Sequence, residues 1–174
     1  MRTLFATAAL ATLVACSPPA QAPQQEAPTP PPTEIACNAV APNLSRQVGV
    51  EEELAVAAAA SDLRGGRIAP GTYDLTQAVR IGSATGWTNT RSVALEVSEA
   101  ANGGVTLNWA GTEPGGVTDR WTADFTETPS TSITYTCGRV GNVAAEFSAT
   151  PDSLELRLPD GANGRLNLSF ARRP

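Results

Sequence analysis

Three cysteines, three tryptophans and the lack of any histidine define the chemistry open to this chain. Without imidazole, the Ser-His-Asp and Cys-His nucleophile schemes, the H-E-x-x-H zinc site and histidine proton shuttles are excluded. No G-x-S-x-G, P-loop or paired C-x-x-C signature occurs either. Glu51-Glu52-Glu53 could suggest a metal site, but in a helix consecutive side chains point about 100° apart and do not converge on one ion. Asp160-Gly161 through Gly164 lacks the alternating acidic ligands of a calcium loop and reads as a glycine-rich hairpin. The expectation is a protein that is not an enzyme, with no cofactor and no metal. Ring surface and thiols are what remain.

The rings fall into a pattern. Tyr73, Trp109, Trp121, Phe125, Tyr135, Phe147 and Phe170 all occupy the apolar parity of segments in which apolar and polar residues alternate. Two readings stay open for them: an apolar cup for one small ligand, or rings that fill a core. Trp87 stands apart in Gly82-Ser83-Ala84-Thr85-Gly86-Trp87, either as a contact residue or lid over a cavity or as a ring folded back onto a rim. Charged residues in these segments (Asp74, Glu96, Asp124, Glu146, Glu155, Arg157) all take the opposite, outward parity.

The elements that must position these residues follow from the periods. Segments around Tyr73, Val93, Val105, Trp121, Ile133, Val143, Leu154 and Leu166 match the half-buried strand template. Between them lie Asn102-Gly103-Gly104, Pro114-Gly115-Gly116, Gly141-Asn142 and Pro151-Asp152, which is turn chemistry at intervals too short for crossover helices. Eight strands in an antiparallel meander close best into a barrel, which removes exposed edges; a two-sheet β-sandwich is the alternative. Ahead of them, Gly49 to Leu63 is alanine-rich with three glutamates in its first turn, and it predicts one N-terminal helix stopped by Gly65-Gly66 and capping a barrel end.

Composition sets the remaining limits. The 174 residues carry 12 basic side chains, all arginine, against 17 acidic ones, for a net charge of -5. That balance argues against a nucleic-acid partner or a polybasic membrane patch. With 41% apolar and 17% charged residues the chain is globular. Residues 1–15 combine Arg2 with a short apolar run, too short to span a bilayer, and read as a removable signal. Seven of the fourteen prolines fall between Pro18 and Pro32, so residues 16–34 read as an extended tether ahead of a single domain over 35–174.

Leu13-Val14-Ala15-Cys16 resembles the lipobox of bacterial lipoproteins. The resemblance implies that Cys16 becomes the first residue and carries acyl chains, so the membrane is a partner through this anchor. Ser17 after the cysteine implies, by the same resemblance, the outer membrane, with the domain facing the periplasm. An exported compartment is oxidising, and Cys37 and Cys137 are therefore expected to pair across about 100 residues.

Gly65-Gly66-x-Ile68-x-x-Gly71-Thr72-Tyr73-x-Leu75-Thr76, with the later Thr134-Tyr135-Thr136-Cys137, resembles small secreted bacterial lipoproteins of unknown function that carry a lipocalin-like, or calycin-like, β-barrel. The chain departs from true lipocalins in placing a helix before the barrel and none after it. The resemblance implies fold and compartment, and no binding residues. The function expected is an envelope-anchored binding protein for a small apolar ligand; the alternative is an inhibitor-like module that docks on an envelope protein without a ligand.

Overall fold

Alternating sequence produces strands in the computed structural model, which describes residues 36–53, 63–87, 89–100, 103–127 and 130–174. All of these lie in one compact unit, Ile35–Pro174. Among the described residues there are ten strands: β1 (Val50–Glu53), β2 (Gly71–Gly82), β3 (Ser92–Glu99), β4 (Val105–Thr112), β5 (Asp119–Thr126), β6 (Ser132–Cys137), β7 (Asn142–Ala144), β8 (Glu146–Ala149), β9 (Ser153–Asp160) and β10 (Gly164–Arg172). Their order in the sheet is β7-β6-β5-β4-β3-β2-β10-β9-β8, and apart from β1 on β2 every pairing is antiparallel. The result is a nearly closed barrel, not a sandwich.

Two differences from the eight-strand expectation have physical causes. Val143, Ala145 and Phe147 share one parity, so they read as one strand. The chain instead changes partner at Ala145: β7 pairs with β6, and β8 pairs with β9. That change of partner is what brings the two ends of the sheet together. The tenth strand comes from the segment expected to be a helix. Val50–Glu53 is extended and lies parallel to Ala78–Ile81 of β2, while Val48 bridges Arg91 just ahead of β3. Strands β2 and β3 pair only over Gly71–Asp74 and Ala94–Val97, and β1 fills the gap where they diverge. Backbone pairing outweighs the local helix preference of Glu51-Glu52-Glu53. Gly65 and Gly66 stop no helix in the described residues; Gly65 exchanges backbone hydrogen bonds with Phe147 and Ala149 on the edge of β8 away from β9. The rest of the expected helix, 54–62, lies outside the described residues, as do Cys16, the signal and the tether.

The apolar parity of the strands makes one core, including Leu75, Leu95, Leu107, Ile133, Leu156 and Leu168 with the rings between them. A β-bulge between Ser169 and Phe170 shifts β2 against β10, so that Arg80 stands opposite Leu166. The interior face is thus not free of charge along the whole of β2. Arg80 meets Glu52 of β1 in a salt bridge near the end of the strand.

A strap, 36–48, takes the place expected of an end cap and runs along the outer wall. Asn38 donates to the carbonyls of Trp109 (3.1 Å) and Trp121 (2.9 Å), and Arg120 donates to Asn38 and to the Val40 carbonyl. Val40 covers Ala94 and Ala110, two outward positions that are buried for this reason. Asn43 and Arg173 both hydrogen-bond Asp74, and Arg173 also donates to the Ala41 carbonyl. Asp74 therefore points outward, as expected, yet is only 5% exposed. The strap is fastened by the disulfide Cys37–Cys137, whose partners lie 100 residues apart. Gly138, at φ +76°, turns the chain directly after this bond; a Cβ there would lie 3.0 Å from the Cys37 sulfur and would overlap the Arg120 carbonyl.

Closing a ring of this length restricts the unfolded chain by about 4.7 kcal/mol in the entropy model. Urea unfolding of Cys37→Ser is therefore expected to show a loss of roughly 2–5 kcal/mol with the strand content unchanged. Burial pushes the Asp74 carboxyl up, but the hydrogen bonds from Arg173 and Asn43 outweigh it and hold the group below its ordinary value of 3.8. The stability from this pair is full above that ordinary value and is lost as pH falls through the lower folded-state value. Asp74→Asn should cost roughly 2 kcal/mol at neutral pH and flatten the fall in stability below about pH 4, measured by urea midpoints across pH.

Candidate functional site

The loop residues 83–87, 89–91, 113–118, 138–141 and 161–163 gather at one end of the barrel, because β2, β4, β6 and β9 all finish there. Beneath them β4 and β5 place Trp109 opposite Trp121, both pointing inward. The two indoles stack at 5.3 Å with their planes 10° apart. Tyr135 meets the edge of Trp121 at 5.3 Å, and Phe170 meets Trp109 at 6.2 Å. The other rings serve the opposite end: Phe125 packs edge-on to Phe147 at 5.0 Å, and the Tyr73 hydroxyl donates to the Ala69 carbonyl at 2.7 Å. Burial pushes the Tyr73 hydroxyl pKa up despite the nearby Arg172 charge.

Trp87 lies at this mouth and is 3% exposed. It stands edge-on to Trp109 at 6.4 Å, its N–H donates to the Asn89 carbonyl at 2.5 Å, and the Arg91 guanidinium sits 5.1 Å from its ring. Both oxygens of Asp160 accept the Gly86 N–H, which ties the Trp87 loop to the end of β9. A cavity of about 160 Å³ remains among Trp87, Trp109, Trp121 and Tyr135, bounded by Arg91 and Arg139. Arg139 lies 5.9 Å from the Trp121 and Tyr135 rings and pairs with Asp119; Arg91 pairs with Glu113.

Among the seven strand rings singled out in the sequence, Trp109, Trp121 and Tyr135 border this cavity, whereas Tyr73, Phe125, Phe147 and Phe170 do not. Arg91 and Arg139, which also border it, were not singled out, and Asp160 was read only as part of a turn. Inward parity did mark Val143, Leu158 and Leu166; the arginines sit beside turns, where no period applies.

The polar detail that matters is at the stacked pair. Neither the Trp109 nor the Trp121 indole N–H has an acceptor among the described residues, and both nitrogens are buried. A buried donor left without an acceptor costs about 1–3 kcal/mol. The cavity can therefore take an apolar body against the rings, and an acceptor atom reaches the buried indole nitrogens only where neighbouring side chains move aside. No group of three or more His, Cys, Asp or Glu that could hold a metal occurs among the described residues.

No family model and no curated protein matches the chain. Among solved structures it is similar to a designed fluorescence-activating β-barrel, at 14% identity and a TM-score of 0.39, over 60% of this chain and 94% of the designed one.

Trp87→Ala is expected to lower stability by about 3 kcal/mol in chemical denaturation, as for a buried ring. A ring standing in solvent would change it by less than about 0.5 kcal/mol.

Proposed function

We propose that this chain is an envelope lipoprotein whose barrel binds, without catalysis, a small and mainly apolar ligand carrying a hydrogen-bond acceptor. The observation that carries the reading is the pair of acceptor-less indole N–H groups at a ring-lined mouth. At about 160 Å³ the cavity is smaller than the roughly 300 Å³ at which pockets for drug-sized ligands begin, so a single ring or a short branched chain is the right scale. In this reading Cys16 carries the lipid anchor at the bacterial outer membrane, and residues 16–34 tether the barrel on the periplasmic side. Its support is the Leu13-Val14-Ala15-Cys16 sequence with the proline-rich segment behind it.

A second reading, docking on another envelope protein, is favoured by one feature. Val117 and Val140, on two neighbouring mouth loops, are 94% and 95% exposed. Large apolar side chains on adjacent loop tips are what a protein contact would cover.

Native mass spectrometry of the chain released from its own envelope separates the two. The ligand reading predicts a small-molecule mass adduct on the wild type. The double variant Trp109→Phe, Trp121→Phe keeps rings but removes both N–H donors, and it should lose affinity for that adduct by roughly 10- to 30-fold, at about 1 kcal/mol per hydrogen bond. A bare chain in complex with a second protein would replace the ligand reading with the docking one.

A further inference from the structure

A groove of about 420 Å³ lies on the barrel wall where the chain crosses from β7 to β8. It exists because pairing between β8 and β9 ends at Glu146 and Arg157, and Leu158–Asp160 has β10 as a neighbour on one side and, among the described residues, no strand partner on the other. Ala144, Ala145, Leu158 and Pro159 give it apolar sides, and the Gly161–Gly164 turn with Asn163 closes one end.

Its charges do not balance. Arg157 and Arg165 share a single carboxylate: Glu146 accepts from Arg157 at 2.9 Å on one oxygen and from Arg165 at 3.1 Å on the other. Arg157 points outward from the barrel but its side chain is only 7% exposed. It spends its Nε on Asn167 at 2.7 Å and one terminal nitrogen on Glu146, while its other terminal nitrogen is buried with no acceptor among the described residues. A guanidinium offers five donors in a rigid fork, and a planar or tetrahedral oxyanion is the complement of that fork.

We propose that this groove is a binding site for a small oxyanion, a carboxylate or phosphate group, received by the free corner of Arg157 and by Arg165 beside the apolar sides of the groove. Arg157 and Arg165 point outward from the barrel, while Leu158 and Pro159 border both this groove and the mouth cavity. Because Glu146 competes for the same two guanidiniums, its neutralisation should favour the ligand, whereas loss of Arg165 should weaken it.

The test is titration of the intact, disulfide-bonded chain with acetate and, separately, with inorganic phosphate at constant ionic strength, followed by two-dimensional NMR. The proposal predicts saturable shifts at Ala144–Glu146, at the Arg157 side-chain N–H and at Gly161–Arg165; whichever anion saturates more tightly identifies the group. Arg165→Gln should weaken binding about tenfold and Glu146→Gln should tighten it several-fold, both with the rest of the spectrum unchanged. Shifts spread evenly over the surface arginines, no saturation with either anion, or a Glu146→Gln chain that binds no better than wild type would overturn it.

Discussion

Trp109 and Trp121 face each other across β4 and β5, and the rest of the barrel is arranged around that pair. On the inner side their stacked rings form the floor of the mouth and meet Trp87, Tyr135 and Phe170. On the outer side their two carbonyls accept from Asn38, so the strap is registered on the same two residues. One cross-strand pair thus couples the core, the mouth and the outer strap. Stacked rings satisfy each other's faces, and their N–H groups are left for something else.

Closing the barrel is a separate problem, solved three times with extended backbone. β1 fills the gap between β2 and β3, Gly65 pairs with the free edge of β8, and the change of partner at Ala145 joins β6 to β9. Each pairs backbone groups that would otherwise be left at a sheet edge. Where no strand is supplied, beside Leu158–Asp160, the wall opens into the groove that holds Arg157 and Arg165. The disulfide holds one end of the strap, the Asp74–Arg173 pair meets its middle at Ala41 and Asn43, and the Val48–Arg91 bridge holds its other end.

Much of this was legible in the sequence because alternation reports which face a residue takes. The inward parity of Val93, Leu95, Val97, Leu107, Phe125 and Leu156 matches their burial, and the barrel follows from it. Alternation does not report partners. Val143, Ala145 and Phe147 keep one parity across a change of neighbour, so two strands read as one. Glu51-Glu52-Glu53 carries a helical preference that yields to a pairing supplied by β2, far along the chain. Asp74 and Arg157 show the same limit for charge: their outward direction was readable, but the strap and Glu146 that bury them were not. Of the candidate site, the rings were readable from parity, while Arg91 and Arg139 come from turns whose geometry only the folded chain defines.

Two of the three indole N–H groups, those of Trp109 and Trp121, have no acceptor among the described residues. Side-chain indole resonances of uniformly 15N-labelled chain, assigned by single Trp→Phe substitutions, test it directly. A downfield, hydrogen-bonded signal is expected for Trp87, with upfield signals for Trp109 and Trp121 that move only when a small molecule with an acceptor is added. Three hydrogen-bonded signals in the ligand-free protein, unaffected by any such addition, would contradict it.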